Sequence, residues 1–261
     1  MSKTHYIENE AGEKICVECF EPKIELESPN MASIVFCHGI TGCRKGRTTN
    51  DHYLQDLAKD LADDGFKVIL FDFSGHGDSE GASRDVCVSK STGELNRVIE
   101  AEAPDKHRIN FLAFSYGATV LDEYLAQNKN IQPNKIVLFS PCLFPLESCF
   151  LNRDSIFGKD ILEAYTNGAL QKDGFTVVGA KNFEFGHHMI EECQQRSPKM
   201  LQRFAKQILL ITGDQDVILD TSYNHAFCLK YNINELRYPA SHSLFESIDI
   251  VKSESCKFFK S

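Results

Sequence analysis

No stretch of this chain approaches the ~18 consecutive apolar residues that a membrane-crossing helix needs. The chain also lacks any excess of basic charge: 28 Lys and Arg stand against 37 Asp and Glu, a formal net charge of −9. Phosphate backbones and anionic lipid surfaces are held by clustered Lys and Arg, so neither nucleic acid nor stable membrane insertion is expected. The first ten residues carry no hydrophobic stretch behind a basic one, so a secretory signal is not expected there. Internal repeats, low-complexity tracts and tryptophan are all missing. At 42% hydrophobic and 25% charged residues the composition is that of a globular protein, which excludes wholesale disorder. A chain of 261 residues can bury one large α/β core or two small ones. Its ten cysteines, in a chain of this size without a signal, are expected as reduced thiols in a cytoplasmic protein. Export by a route that uses no cleaved signal would leave the same sequence.

Apolar runs of strand length alternate with amphipathic stretches of helix length, the order of βαβ units around a parallel sheet. Lys14–Phe20 alternates with period two until Glu21-Pro22 breaks it, which predicts an antiparallel hairpin at a sheet edge. Strands are predicted at Ser33–Cys37, Phe66–Phe71, Arg108–Phe114, Lys135–Phe139, Gln207–Thr212 and Ile233–Tyr238. Asp51 is placed to cap a helix carrying Leu54, Leu57, Ala58 and Leu61, with Gly65 ending it. Further helices are predicted around Leu95, Val98 and Ile99, from Ser115 to about Asn128, and through Leu244, Phe245, Ile248 and Val251. Residues 140–206 break the rhythm and are too many for a structureless loop. Helical pieces at Lys159–Tyr165 and Met189–Gln195 and aromatics such as Phe144, Phe150, Phe157 and Phe185 predict an inserted cap. The organisation expected is a core of 1–139 and 207–261 with a cap of 140–206.

Ala113-Phe114-Ser115-Tyr116-Gly117 falls between a predicted strand and a predicted helix, the context of a nucleophile elbow. By average residue usage, a small-x-Ser-x-Gly pattern arises by chance on the order of 0.1–0.2 times in such a chain, so its placement carries the weight. The turn is tight enough to require small residues on both sides, which Ala113 and Gly117 provide. A serine hydroxyl is a weak nucleophile and needs a base, which in turn needs an orienting acid. With such an elbow the chain order is Ser, acid, His. In the turn after Gln207–Thr212, Asp214 and Asp216 both qualify. Asp216 is preferred, because a first carboxylate in such a turn more often braces it, and Asp220 stands third. Only His225 and His242 follow. His225 falls inside a predicted helix, whereas His242 lies in a turn between the last strand and the last helix, and His242 is taken as the base. The backbone N–H groups of Tyr116 and Ile40 are the candidate oxyanion donors, with Gly39 giving the chain room.

His38-Gly39-Ile40, Phe71-Asp72-Phe73-Ser74-Gly75-His76-Gly77-Asp78-Ser79-Glu80-Gly81, the elbow, Gly213-Asp214-Gln215-Asp216 and Ser241-His242 occur in the order of the α/β-hydrolase superfamily. Over about 33–139 and 207–255 the chain resembles its small serine esterases, including the cinnamoyl/feruloyl esterase-like and acylglycerol-lipase-like branches. Ala113 stands where many members have glycine. The resemblance implies an α/β-hydrolase fold, a mostly parallel central sheet flanked by helices with an inserted cap. It also implies a triad of Ser115, Asp216 and His242, with Ile40 and Tyr116 supplying oxyanion amides. The expected activity is hydrolysis of a small-molecule ester, or of a thioester, with no cofactor and no metal. Thioesterases, acyltransferases and peptidases use the same constellation, and a catalytically silent binding module is the rival from another class.

Other signals are weaker. Cys16-Val17-Glu18-Cys19 is a lone Cys-x-x-Cys, and strand residues three apart face opposite ways, so a metal is not expected there. His187-His188 with Glu191 and Glu192 is read as a solvated helix face. Arg44, Lys45 and Arg47 could dock an anionic group beside the oxyanion segment, but are read as an ordinary solvated charge run. His76 and Asp78 are expected to brace the glycine-rich turn, and Asp105-Lys106-His107 to be exposed loop.

Overall fold

The computed structural model describes residues 2–23, 33–46, 51–103, 105, 109–179, 182–194 and 196–261. Arg47, Lys106, His107, Arg108 and Gln195 lie outside these residues.

The strands are β1 (Ser2–Glu8), β2 (Lys14–Phe20), β3 (Ser33–Cys37), β4 (Val68–Phe71), β5 (Ile109–Phe114), β6 (Ile136–Phe139), β7 (Phe175–Val178), β8 (Phe183–Gly186), β9 (Ile208–Gly213) and β10 (Asn234–Tyr238). The helices are α1 (Tyr53–Asp63), α2 (Val88–Glu102), α3 (Tyr116–Gln127), α4 (Gly158–Thr166), α5 (Ala169–Asp173), α6 (His187–Cys193), α7 (Ser222–Tyr231) and α8 (Ile248–Lys260). Eight strands form one sheet in the order β1-β2-β4-β3-β5-β6-β9-β10. The β1–β2 and β2–β4 pairs are antiparallel and every later pair is parallel. This is the α/β-hydrolase fold, with a mostly parallel sheet flanked by helices. Parallel strands need cover on both faces, and β3 to β6 are accordingly buried along their whole length.

The two faces have separate apolar cores. Leu54 and Leu61 of α1 and Val251 of α8 pack with Phe36, Phe139 and Ile211 on one face. Val98 of α2 and Val120 and Leu121 of α3 pack with Val35 and Phe111 on the other. Each such buried side chain contributes ~1.5–3 kcal/mol through removal from water. β2 is covered on both faces from Ile15 onward: Ile15, Val17 and Cys19 join the α2/α3 core, Phe20 joins the α1/α8 core, and Glu18 meets Arg44. Asp51 does not cap α1. His52 sits before the helix with φ 59° and no side chain caps it. The entry is fixed instead by the loop, where the Leu54 N–H donates to the Lys45 carbonyl at 3.1 Å.

Residues 140–206 contain α4, α5, the antiparallel hairpin β7–β8 and α6. The hairpin was not anticipated, since four-residue strands are too short to display an alternation. It docks on Ser83–Asp85: the Glu184 N–H donates to Ser83 Oγ at 3.2 Å, and Arg84 pairs with Glu184 at 3.1 Å. Phe150, Ile161, Phe185 and Ile190 join the core of the α2/α3 face and have no separate core of their own. Among the described residues no helix is long and apolar enough to cross a membrane.

Candidate active site

Ser115 joins the end of β5 to the start of α3 with φ 50° and ψ −117°, a conformation that costs a non-glycine residue ~1–3 kcal/mol. The surroundings hold it there. Its N–H donates to the Phe139 carbonyl at 3.3 Å, and its own carbonyl accepts the N–H groups of Ala118 and Cys142, both at 3.0 Å. A Cβ at Gly117 would fall on the Cys37 carbonyl oxygen, so α3 can approach β3 only because residue 117 has no side chain. Ala113 pairs in register with Cys37. The Tyr116 hydroxyl donates to Ser91 Oγ at 3.0 Å and ties the elbow to α2.

The turn after β9 and the turn after β10 meet at this point. His242 Nδ1 lies 2.7 Å from Asp216 Oδ2 and His242 Nε2 lies 2.9 Å from Ser115 Oγ. A carboxylate can only accept, so Nδ1 carries the proton and Nε2 is left free to accept from the serine. Asp216 Oδ1 takes the N–H groups of Ile218 and Leu219 at 2.8 and 2.9 Å, and the carboxylate is wholly buried. The other candidates lie elsewhere. Asp214 pairs with Arg237 at the sheet edge, Asp220 accepts the Ser222 N–H at the start of α7, and His225 pairs with Glu235 at 2.6 Å.

Gly39 presses against the elbow: a Cβ there would stand 3.0 Å from the Phe114 ring and 3.1 Å from Ser115 Cβ. What this glycine supplies is space, since its φ is not in the left-handed region. The adjoining His38 is fully buried. Its Nε2 accepts the Phe73 N–H at 3.0 Å, which puts the ring proton on Nδ1 and directs it to the Gly39 carbonyl at 2.8 Å. The same carbonyl accepts the Gly42 N–H at 3.3 Å. Because the peptide is planar and trans, clamping the Gly39 carbonyl leaves the Ile40 N–H on the opposite edge. The Tyr116 N–H belongs to the first turn of α3, where a helix leaves its donors unpaired.

Arg44 and Lys45, the two described members of the basic cluster, are engaged in ion pairs and do not form the solvated run expected of them. Arg44 is only 4% exposed, and its guanidinium reaches Glu18 at 3.3 Å, Asp72 at 2.5 Å and Asp78 at 2.8 Å. Lys45 also reaches Asp78, at 3.1 Å. The sequence pattern could not show this, because the anionic partners lie in β2 and in the turn after β4. Asp72 Oδ1 accepts the Arg44 N–H and Oδ2 the Asp78 N–H, so Asp72 is the hub of the glycine-rich turn. The Arg44 hydrogen bond, with Lys45 behind it, holds the Asp78 carboxyl below the usual carboxylate range. Cys16, Asp72 and Asp78 offer ligand atoms within 4.8 Å of one another, but the Arg44 guanidinium already occupies the cation's place between the carboxylates. Cys19 donates instead to Glu102 at 3.3 Å, and burial pushes its thiol up to about 12. His187 and His188 both pair with Glu191 on α6.

A cleft of about 260 Å³ opens beside His242. Ile40, Leu54, Phe114, Val217 and Ile218 give it apolar walls. The sequence marks Leu54 only as part of the α1 apolar stripe, and it leaves Val217 and Ile218 unmarked, although an apolar pair directly after the acid turn is the signal that points to them.

The chain belongs to the alpha/beta hydrolase fold family, whose profile matches residues 32–181, more than half of its length. A putative hydrolase from Agrobacterium vitis is 19% identical over 99% of this chain and 99% of its own, with a TM-score of 0.75. Est1E from Butyrivibrio proteoclasticus, solved with ferulic acid bound, is 17% identical over 98% of each chain, with a TM-score of 0.72. XC6422 from Xanthomonas campestris, described as an a/b serine hydrolase without lid, is 16% identical over 99% of this chain and 94% of its own, with a TM-score of 0.63. At such identities the likeness is one of fold. No curated protein matches the chain by sequence.

Proposed function

We propose that this protein is a serine hydrolase of carboxylic esters, with Ser115 as nucleophile, His242 as base and Asp216 as orienting acid. The observation that carries the reading is the unbroken chain from buried Asp216 through His242 to Ser115, at 2.7 and 2.9 Å, on a strained elbow. His242 Nε2 takes the Ser115 hydroxyl proton as Oγ attacks the ester carbonyl. The resulting oxyanion is held by the Ile40 and Tyr116 N–H groups. The imidazolium then protonates the leaving alcohol, and water repeats the sequence on the acyl-enzyme to release the acid. Asp216 keeps the imidazole in the tautomer this requires. On this reading residues 140–206 are a cap inserted into a catalytic core of 1–139 and 207–261.

Hydrolysis of p-nitrophenyl esters of graded acyl length, wild type beside Ser115→Ala, tests the reading. The variant is expected to lose on the order of 10⁵–10⁶ in kcat while remaining folded. A fluorophosphonate probe is expected to label wild type at Ser115 only. Full activity in Ser115→Ala, or folded wild type that the probe leaves unlabelled, overturns it.

A further inference from the structure

The described walls of the cleft beside His242 are apolar or uncharged. Among the described residues that line it there is no Lys, Arg, Asp or Glu. The two described cations of the adjoining loop are already committed, Arg44 to Glu18, Asp72 and Asp78, and Lys45 to Asp78. A substrate carboxylate entering the cleft would shed its hydration and meet no counter-charge among the described lining residues, a cost its neutral isostere escapes.

The described lining also includes no residue of 140–206. That segment meets the cleft from behind. Ser155 Oγ donates to the Ile218 carbonyl at 2.7 Å, and the Ile156 N–H donates to the Val217 carbonyl at 3.0 Å. From the inner side, Asp216 Oδ1 takes the N–H groups of Ile218 and Leu219. The wall is thus pinned on both sides through its backbone, while the buried aromatics Phe150 and Phe185 of the insert turn into the α2/α3 core.

We infer that this cleft selects an uncharged, apolar limb of the ester, that Leu54 and Ile218 set its length, and that the insert acts on selection by holding the Ile218 wall. This rests on the serine-hydrolase reading. An apolar cavity of about 150 Å³ holds one benzene, so by proportion a cleft of about 260 Å³ takes roughly ten non-hydrogen atoms. That suits a limb of roughly four to eight carbons beside the carbonyl.

The test measures kcat/KM for p-nitrophenyl esters from acetate to laurate, for butyrates of graded alcohol length, and for the p-nitrophenyl monoester of glutarate beside valerate. Wild type is compared with Ile218→Phe, Ile218→Ala, Leu54→Ala and Ile156→Ala, each checked for folding by circular dichroism and thermal unfolding. Glutarate is expected to fall below valerate on the order of 10-fold or more, as for a buried charge without a partner. Ile218→Phe is expected to shorten the optimal limb in one of the two length series, and Ile218→Ala and Leu54→Ala to lengthen it. Ile156→Ala is expected to leave it in place, although Ile156 is an exposed residue of the insert. Glutarate hydrolysed as well as valerate, or better, overturns the inference. So does an optimum that Ile156→Ala moves and the Ile218 variants do not. Wild type that is folded but unlabelled by fluorophosphonate takes down the underlying reading, and with it this one. A labelled enzyme with the wrong length profile takes down this one alone.

Discussion

Two buried carboxylates at the same edge of the sheet are built alike and end differently. Asp72 follows β4 and Asp216 follows β9, and both side chains are wholly withdrawn from water. Each collects two backbone N–H groups from its own surroundings, Arg44 and Asp78 in one case and Ile218 and Leu219 in the other. The remaining capacity of Asp72 goes to a guanidinium, that of Asp216 to an imidazole. Arginine, with a pKa above about 12, never gives up its proton, so the first arrangement is static. An imidazole can both give and take a proton, and on the proposed reading the second passes one onward. On the proposed reading, one device serves as an anchor or as an acid–base centre according to what faces it.

The contrast breaks most sharply at the two isosteric substitutions. Asp216→Asn is expected to cut kcat by about 10⁴, through loss of the required tautomer, with little change in thermal unfolding. Steady-state kinetics beside a melting curve checks both halves. Asp72→Asn is expected to do the reverse: it leaves Arg44 buried with part of its charge unmatched and costs about 3–5 kcal/mol, measured by urea unfolding. Its turnover per folded molecule should stay within about threefold of wild type.

A smaller effect lies in acid. Asp78 is held below the usual range by Arg44 and Lys45, so it stays ionised in the folded protein at pH values where the unfolded chain is protonated. Its stabilising contribution is full above a pH of about 4 and is lost as pH falls further, through the folded value. Urea midpoints for wild type and Asp78→Asn should differ at pH 6 and converge toward pH 3. A gap that persists at pH 3 would mean that the side chain acts through its shape alone. Smallest is Asp214→Asn. Its Arg237 partner is partly exposed, so the loss should be at most about 1 kcal/mol, with kcat unchanged. If Asp214→Asn abolishes turnover and Asp216→Asn does not, the assignment of the acid is reversed.

The positions of Ser115, Asp216 and His242 were legible because a parallel sheet delivers every strand end to one edge. A residue just past a buried strand can then be placed without knowing its contacts. Helices with an apolar stripe, such as the one bearing Leu54, Leu57 and Leu61, were legible for the same periodic reason. What escaped depends on contacts distant in the chain. Arg44 looks like a solvated charge until Asp72 and Glu18 are brought to it by the sheet order β2-β4-β3. Asp51 carries a capping residue's chemistry, yet a bond from Leu54 to Lys45 sets the start of α1. The β7–β8 hairpin is held by Ser83 and Arg84, and nothing within its own short strands announces it.

The segment from Asp216 to Asp220 has a consequence for how such a protein could diversify. The Val217 and Ile218 carbonyls are taken by Ile156 and Ser155, the Ile218 and Leu219 N–H groups by Asp216, and the Asp220 N–H by Ser148. The path of the main chain therefore depends little on which side chains stand at 217 and 218, and those side chains carry none of these bonds. Replacements there alter the shape of the cleft while the carboxylate two residues away keeps its aim. If the proposed reading holds, mutational drift can retune what this scaffold accepts at 217 and 218 while the proton relay is inherited intact.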